Sequence, residues 1–242
     1  MKHSEWGHEF PRLYELAEAA AEQGKGRFFA GFAQTLQIPL AREYYHAWEH
    51  HLGRLDRQAW DGFMRELLDT FSATSDDPAS RAQVFARLSE AIGYVCLLDL
   101  GYREVSFIPR AASAGRRTPD LKAIDAGQIV ALMEVKTIRQ SDREANWVND
   151  NTRRLHAGQP PSVRRLSPCF PDGLKRKLRA HLKKAINQLS DYPAPGSCRR
   201  IVLFLIKLDP EPAAMRGIDE AIQDFLEENT GDSQIEIRCE FL

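Results

Sequence analysis

The stretch TPDLKAIDAGQIVALMEVKTIR, residues 118–139, decides the fold. Two apolar runs of strand length flank the dipeptide Ala126-Gly127, which suits a two-residue turn. The pattern therefore predicts a β-hairpin whose strands are residues 119–125 and residues 128–137.

Three of the charged residues of this hairpin are expected to lie close together. Residues i and i+2 of a strand point to the same face, so Glu134 and Lys136 are expected to project together. Folding about the turn places Asp120, which follows Pro119, opposite Met133 and one position from Glu134. Two neighbouring carboxylates are hard to keep ionised unless a cation lies between them. A hard divalent metal with oxygen ligands meets that need.

Helices and further strands surround the hairpin in a mixed order. Apolar residues recur at helical or strand spacing on both sides of it. The predicted class is α/β, a mixed central sheet flanked by helices. The predicted elements are helices at residues 78–99, 173–191 and 213–228 and strands at residues 102–108, 199–209 and 233–241.

The N-terminal third has a different pattern. Residues 10–72 show only amphipathic helical spacing, and the polar stretch at residues 72–80 is the best candidate boundary. We therefore predict an α-helical N-terminal region at 1–75 and a second domain at 76–242. A long polar segment without periodicity is expected as an insertion at residues 137–173.

Composition excludes several classes of protein. No apolar run approaches the roughly 20 residues that a membrane span needs, and no secretion signal is evident, so a cytoplasmic protein with no membrane partner is expected. The four cysteines are widely separated and form no Cys-x-x-Cys pair, which argues against a thiolate zinc site and a disulfide framework.

Charge is unevenly distributed along the chain. The 33 Lys and Arg residues nearly balance the 34 Asp and Glu residues. Residues 136–184, however, contain 13 basic and 4 acidic side chains, a net charge of +9. A basic block of this kind can be a solvated face, or it can be a binding surface for a partner that carries phosphates, such as nucleic acid.

The charged residues of the hairpin resemble the signature of a known family. Pro119-Asp120 and Glu134-Val135-Lys136, with a helix before and a helix after, resemble the PD-(D/E)XK nuclease superfamily, which is restriction endonuclease-like. The resemblance covers about residues 80–208 and implies an αβββαβ core. Residues 108–120 also resemble the Ser/Gly-containing loop of archaeal-type Holliday junction resolvases, although this loop is longer.

The resemblance implies a magnesium site and a reaction. Asp120, Glu134 and the backbone carbonyl of Val135 would bind Mg²⁺, with Mn²⁺ as a substitute, and Lys136 would position the attacking water or stabilise the transition state. Hydrolysis in this family leaves a 5′-phosphate. The implied activity is that of an endonuclease on DNA rather than RNA, in restriction or defence, recombination or repair.

Two helical residues are implied as additional catalytic groups. Glu90 resembles the acid that family members supply from the first core helix, and Gln188 resembles a residue of the following helix that faces the site. Glu90 is not on the apolar stripe of its helix, so a plain surface acid is the alternative.

The basic block supplies the expected nucleic-acid contacts. Trp147 in the insertion is a candidate for stacking on a base. Cleavage of two strands would need two sites, so a homodimer is a further expectation. The nucleic-acid-binding candidates are Arg139, Arg143, Arg153, Arg154, Arg164, Arg165, Lys175, Lys177 and Lys184.

Alternatives remain open at this point. Lys136 could form a buried salt bridge with either acid and have a structural role alone. The protein could be a non-catalytic nucleic-acid-binding or assembly protein that retains the fold, or a hydrolase of small phosphoesters, although the basic insertion is large for a small substrate. His46 and His50 share a helical face near Glu43, but without His-Glu-x-x-His they are ordinary helix residues rather than metal ligands.

Overall fold

A computed structural model of the protein describes residues 6–71, 78–109, 118–139, 154, 160, 170–207, 212–229 and 235–241. The chain divides into two compact units. The first unit is Met1–Arg116 with Asp120–Val130, and the second is Arg117–Pro119 with Ala131–Leu242. The boundary predicted between residues 75 and 76 stays a prediction, and the helix that follows it lies in the first unit.

Helices make up the N-terminal part of the first unit. Pro occupies the first turn of two of them, where its missing N–H costs no hydrogen bond. Asp56 caps another, since its Oδ1 accepts a hydrogen bond from the backbone N–H of Ala59 at 2.8 Å. Residues 6–71 contain no strand, as their helical spacing predicts. The helices are α1 (Pro11–Glu22), α2 (Phe32–Thr35), α3 (Pro39–Gly53) and α4 (Arg57–Leu68), with a 3₁₀ turn at Gly26–Phe29.

The core of this helical part follows the apolar spacing of the sequence. Trp60 and Phe63 of α4 are fully buried, and Phe28, which the spacing also favours for the core, is only partly buried. Burial of such large side chains is the main source of stability for a helical layer. Further apolar residues at helical spacing in this part are buried as well, and they are Leu13, Leu16, Ala20, Phe29, Phe32, Leu52, Leu55, Leu67 and Leu68.

The first unit continues with α5 (Pro78–Asp99), β1 (Glu104–Phe107) and β2 (Leu121–Asp125). Strands β1 and β2 pair antiparallel. After β2, Ala126 and Gly127 have φ angles of 47° and 77°, and two positive φ angles in succession are what a type I′ hairpin turn requires. The predicted hairpin is therefore confirmed, although β2 begins one residue after Asp120.

The second unit contains the longest strands. Strand β3 (Gln128–Arg139) enters it from the first unit and pairs parallel with β4 (Arg199–Lys207), which pairs parallel with β5 (Ile235–Phe241). Residues 201–206 of β4 are all fully buried, as expected for a parallel strand covered on both faces. Helices α6 (Phe170–Asp191) and α7 (Pro212–Asn229) belong to the same unit.

The strand order is β1-β2-β3-β4-β5. The antiparallel pairing of β1 with β2 and the parallel pairing of β3 with β4 and of β4 with β5 make the sheet mixed, and the element order from α5 to β5 is the predicted one. The α/β class with a mixed sheet flanked by helices is confirmed. The identity of its core as nuclease-like stays a prediction. Within the described residues, no helix has both the length and the apolar character that a membrane span requires.

Candidate functional site

Strand β3 presents Glu134 and Lys136 on one face. The two residues are separated by one position, so the alternation of a strand directs both side chains the same way. The register sets Glu134 beside Val202 and Lys136 beside Phe204, and both of these β4 residues are fully buried. The pair therefore lies beside the buried centre of the parallel sheet in the second unit.

Three side chains meet at this point of β3. The ammonium group of Lys136 donates hydrogen bonds to Glu134 Oε1 and, at 3.0 Å, to Gln188 Oε1 on α6. Gln188 in turn donates through Nε2 to the carbonyl oxygen of Thr118 at 3.2 Å. Of the candidate site residues, the structure thus brings together Glu134, Lys136 and Gln188, and it adds Thr118, which the sequence analysis missed.

Burial differs within this cluster. The side chain of Glu134 is 2% exposed, whereas that of Lys136 is 19% exposed. A buried carboxylate is costly unless a cation compensates for its charge, and Lys136 provides that cation. The salt bridge considered as an alternative is therefore present, but the lysine still reaches the surface. Its ammonium group can contact a ligand while Glu134 and Gln188 hold it.

Asp120 lies in the first unit, immediately before β2. Its side chain is partly buried, and its carbonyl oxygen accepts a hydrogen bond from the backbone N–H of Ile108 at 2.9 Å. This bond extends the β1–β2 pairing by one residue pair, so it fixes the backbone at the start of β2. The meeting of Asp120 with Glu134 stays a prediction.

Glu90 is buried in the first unit, so the alternative of a plain surface acid is wrong. Its side chain is 3% exposed and forms an ion pair with Arg87, which is itself 1% exposed. Arg87 also pairs with Glu66 of α4, and its guanidinium lies 5.6 Å from the ring centre of Phe63 and 6.0 Å from that of Phe107. Helical spacing failed here because the ion pair, rather than an apolar side chain, occupies the buried position.

The basic candidates have different surroundings. Lys175 forms an ion pair with Asp224 of α7, so its charge is already compensated within the unit. Lys184 and Arg154 are exposed, and Lys177 is partly buried. Outside the described residues lie Arg143, Arg153, Arg164, Arg165, Trp147 and the side chain of Arg139.

A histidine that the sequence analysis missed lies close to Lys136. His181 is half-buried on α6, and its pKa is lowered by burial and by the positive charges of Lys136, Lys184 and Lys177. Positions 177, 181, 184 and 188 share one helical face, and that spacing was the signal in the sequence.

The donors predicted for Mg²⁺ are carboxylate and carbonyl oxygens, the type of ligand that this ion prefers. Glu134 and Val135 are consecutive in β3, so one strand supplies two of these donor groups. Among the described residues, no group of three or more His, Cys, Asp or Glu side chains is arranged to hold a metal ion. A site built from two carboxylates and one carbonyl does not need such a group.

The first unit also contains a cavity of about 720 Å³ between α4 and β1. It is lined by Glu66 and by Phe63 and Phe107 near Arg87, but by none of the predicted site residues. The cavity is therefore not the predicted site.

Comparison with protein-family models, with curated proteins and with solved structures found no match.

Proposed function

We propose that the protein is a metal-dependent nuclease that hydrolyses phosphodiester bonds, with DNA as its preferred substrate. The observation that supports this most strongly is the ammonium group of Lys136, which Glu134 and Gln188 hold close to the surface. A cation in a fixed position can stabilise the negative charge that develops on a phosphodiester during hydrolysis.

Each residue of the cluster has a part in this proposal. Lys136 contacts a phosphate oxygen or orients the attacking water, and Gln188 keeps its ammonium group in place. The bond from Gln188 to the carbonyl oxygen of Thr118 in turn holds the amide of Gln188 in place. These are positioning effects, which contribute strongly to phosphoryl transfer.

Asp120, Glu134 and the carbonyl of Val135 would hold the metal ion. When bound, Mg²⁺ or Mn²⁺ stabilises charge on the phosphodiester and makes a bound water more acidic. Water attacks the phosphorus, the bond from phosphorus to the leaving oxygen breaks, and that oxygen takes up a proton. The basic block beginning at Lys136 supports a polymeric substrate over a small phosphoester.

A second candidate function is nucleic-acid binding without catalysis. The direct ion pair of Glu134 with Lys136 favours it, because the lysine compensates the charge of the buried carboxylate. Both candidates involve nucleic acid, so cleavage is the property that distinguishes them. A role in restriction or defence, recombination or repair is compatible with either.

The test is a cleavage assay on supercoiled plasmid, linear duplex, single-stranded DNA and RNA, with Mg²⁺, Mn²⁺ or EDTA. We expect wild-type protein to cleave DNA only with metal and Lys136→Met to lose at least about 100-fold in rate. Lys183→Met is the matched control, because Lys183 is exposed on α6 and its substitution removes the same charge. Metal-dependent cleavage that survives in Lys136→Met would overturn the role of Lys136. The absence of cleavage of every polymer by wild type would leave the binding function as the better candidate.

A further inference from the structure

Helix α6 carries basic residues on two different faces. Lys175 and Arg179 are one turn apart and form ion pairs with Asp224 and Glu228, which are one turn apart on α7. These two positive charges therefore pair with acids of α7 in the contact between the two helices. The basic block of the sequence is not one uniform surface.

The second face carries Lys177, His181, Lys184 and Gln188. At 100° per residue these positions fall within about 60° of each other around the helix axis. The row borders the buried face of α6, on the side opposite to the α7 contact. We call Lys177, His181 and Lys184 the α6 stripe. The buried face beside it consists of Leu174, Leu178, Leu182, Ala185 and Leu189.

The α6 stripe leads directly to the candidate active site. Gln188 continues the same row and accepts the hydrogen bond from Lys136 at 3.0 Å. Lys177 is 11 residues before Gln188, which is about 16 Å along the helix axis. A row of this length that ends at Lys136 can contact several positions of an extended polymer.

Charge accumulates along this row. The positive charges of Lys136, Lys184 and Lys177 all act on His181, and together with burial they lower its pKa. These three charges are all positive. An anion is the ligand that would relieve this repulsion.

We propose that the α6 stripe binds successive phosphates of the nucleic-acid strand and leads that strand to Lys136. The inference rests on the proposed function, since it places the substrate strand at the proposed catalytic centre. Lys177 and Lys184 contact phosphates through their ammonium groups, and His181 contacts a phosphate through a ring N–H. A bound phosphate stabilises the charged imidazole, so binding is accompanied by uptake of a proton at His181.

The lysines are tested by binding rather than cleavage. Fluorescein-labelled single-stranded and duplex DNA are titrated with protein in EDTA, and fluorescence anisotropy is followed over a range of salt concentrations. We expect Lys177→Ala and Lys184→Ala each to weaken binding about 3- to 10-fold. Each should also lower the slope of log affinity against log salt concentration by the amount that corresponds to about one phosphate contact. The control Lys183→Ala removes an equal charge from another face of α6 and should bind like wild type.

The histidine is tested by the pH dependence of the same binding. Because the phosphate raises the pKa of His181, the complex holds more protons than the free protein, and affinity should rise as pH falls from about 7.5 to about 5.5. The charged groups that act on this imidazole in the free protein are Lys136, Lys184 and Lys177. His181→Gln keeps a hydrogen-bond donor but cannot titrate, so it should lose most of this pH dependence and remain folded by circular dichroism.

The outcomes separate this inference from the proposed function. Equal weakening by Lys183→Ala and Lys184→Ala, an unchanged pH dependence in His181→Gln, or no binding of either DNA by wild type would each overturn the inference. If wild type binds through the α6 stripe but cleaves nothing with metal, the proposed function fails and the inference stands. If wild type cleaves DNA while Lys177→Ala and Lys184→Ala bind like Lys183→Ala, the inference fails and the proposed function stands.

Discussion

Each unit contains a buried glutamate that is paired with a cation, and the two cations differ in exposure. In the first unit, the side chain of Arg87 is 1% exposed beside Glu90, which is 3% exposed. In the second unit, the side chain of Lys136 is 19% exposed beside Glu134, which is 2% exposed. The acids are equally buried, so the difference lies in the cations.

The surroundings of the two cations indicate different roles. Arg87 is enclosed by two carboxylates and lies over two phenylalanine rings, which leaves its guanidinium no access to a ligand. Lys136 is held by one carboxylate and one amide, and it reaches the surface. A closed cluster of this kind stabilises a fold, whereas a cation that is held but accessible can act on a substrate.

The largest expected effect is on the closed cluster. Arg87→Met leaves Glu90 buried without its cation, and we expect the free energy of unfolding to fall by about 3–5 kcal/mol. Urea denaturation followed by circular dichroism measures this change. Arg65→Met is the control, because Arg65 is exposed on α4. A loss no larger than that of the control would show that the cluster is not important for stability.

The same substitution in both clusters sharpens the comparison. Glu134→Gln should lower the cleavage rate at least about 100-fold, because the carboxylate that positions Lys136 and contributes a metal ligand is lost. Glu90→Gln should instead cost about 1–3 kcal/mol of stability, because Arg87 loses one of its charged partners, and leave the rate per folded molecule within about twofold. Cleavage rates are measured at a temperature where both variants are folded, and Glu227→Gln on the exposed side of α7 is the control. A large loss of rate in Glu90→Gln would restore the catalytic role that the family resemblance implies.

The clusters also show how far the sequence could predict the molecule. The apolar runs around Ala126-Gly127 were enough to predict the hairpin, and strand alternation was enough to predict that Glu134 and Lys136 share a face. These features depend on neighbours in the chain. They are the part of the fold and of the site that local pattern determines.

Contacts between distant segments could not be predicted in this way. Gln188 donates to the carbonyl of Thr118 across 70 positions of the chain, and no local pattern specifies that pairing. Lys175 lies in the same basic block as Lys177 and Lys184, and the sequence does not distinguish it from them. Only the packing of α7 against α6 shows that Lys175 is paired with an acid. Glu90 was ambiguous because a buried ion pair breaks the apolar periodicity of α5.

A smaller effect is expected from the amide that supports Lys136. Gln188→Leu removes the hydrogen bonds to Lys136 and to the carbonyl of Thr118, each worth on the order of 1 kcal/mol. We expect the cleavage rate at saturating DNA to fall about tenfold while DNA binding in EDTA changes less than threefold. Asn187→Leu, on the exposed side of the same helix, should leave both unchanged. An equal loss in binding and rate would mean that Gln188 contacts the substrate rather than positioning Lys136.

The smallest effect should come from an ion pair at the surface. Asp224, at 57% side-chain exposure, pairs with Lys175, and solvent screens such a pair strongly. Asp224→Asn should therefore lower the free energy of unfolding by less than about 1 kcal/mol, and the difference should disappear at high salt. Because Lys175 is then released from α7, its charge becomes available, and any gain in DNA affinity measures how much an added cation outside the α6 stripe contributes. A gain as large as the loss in Lys184→Ala would mean that α6 binds DNA through its total charge, with no dependence on the face that carries it.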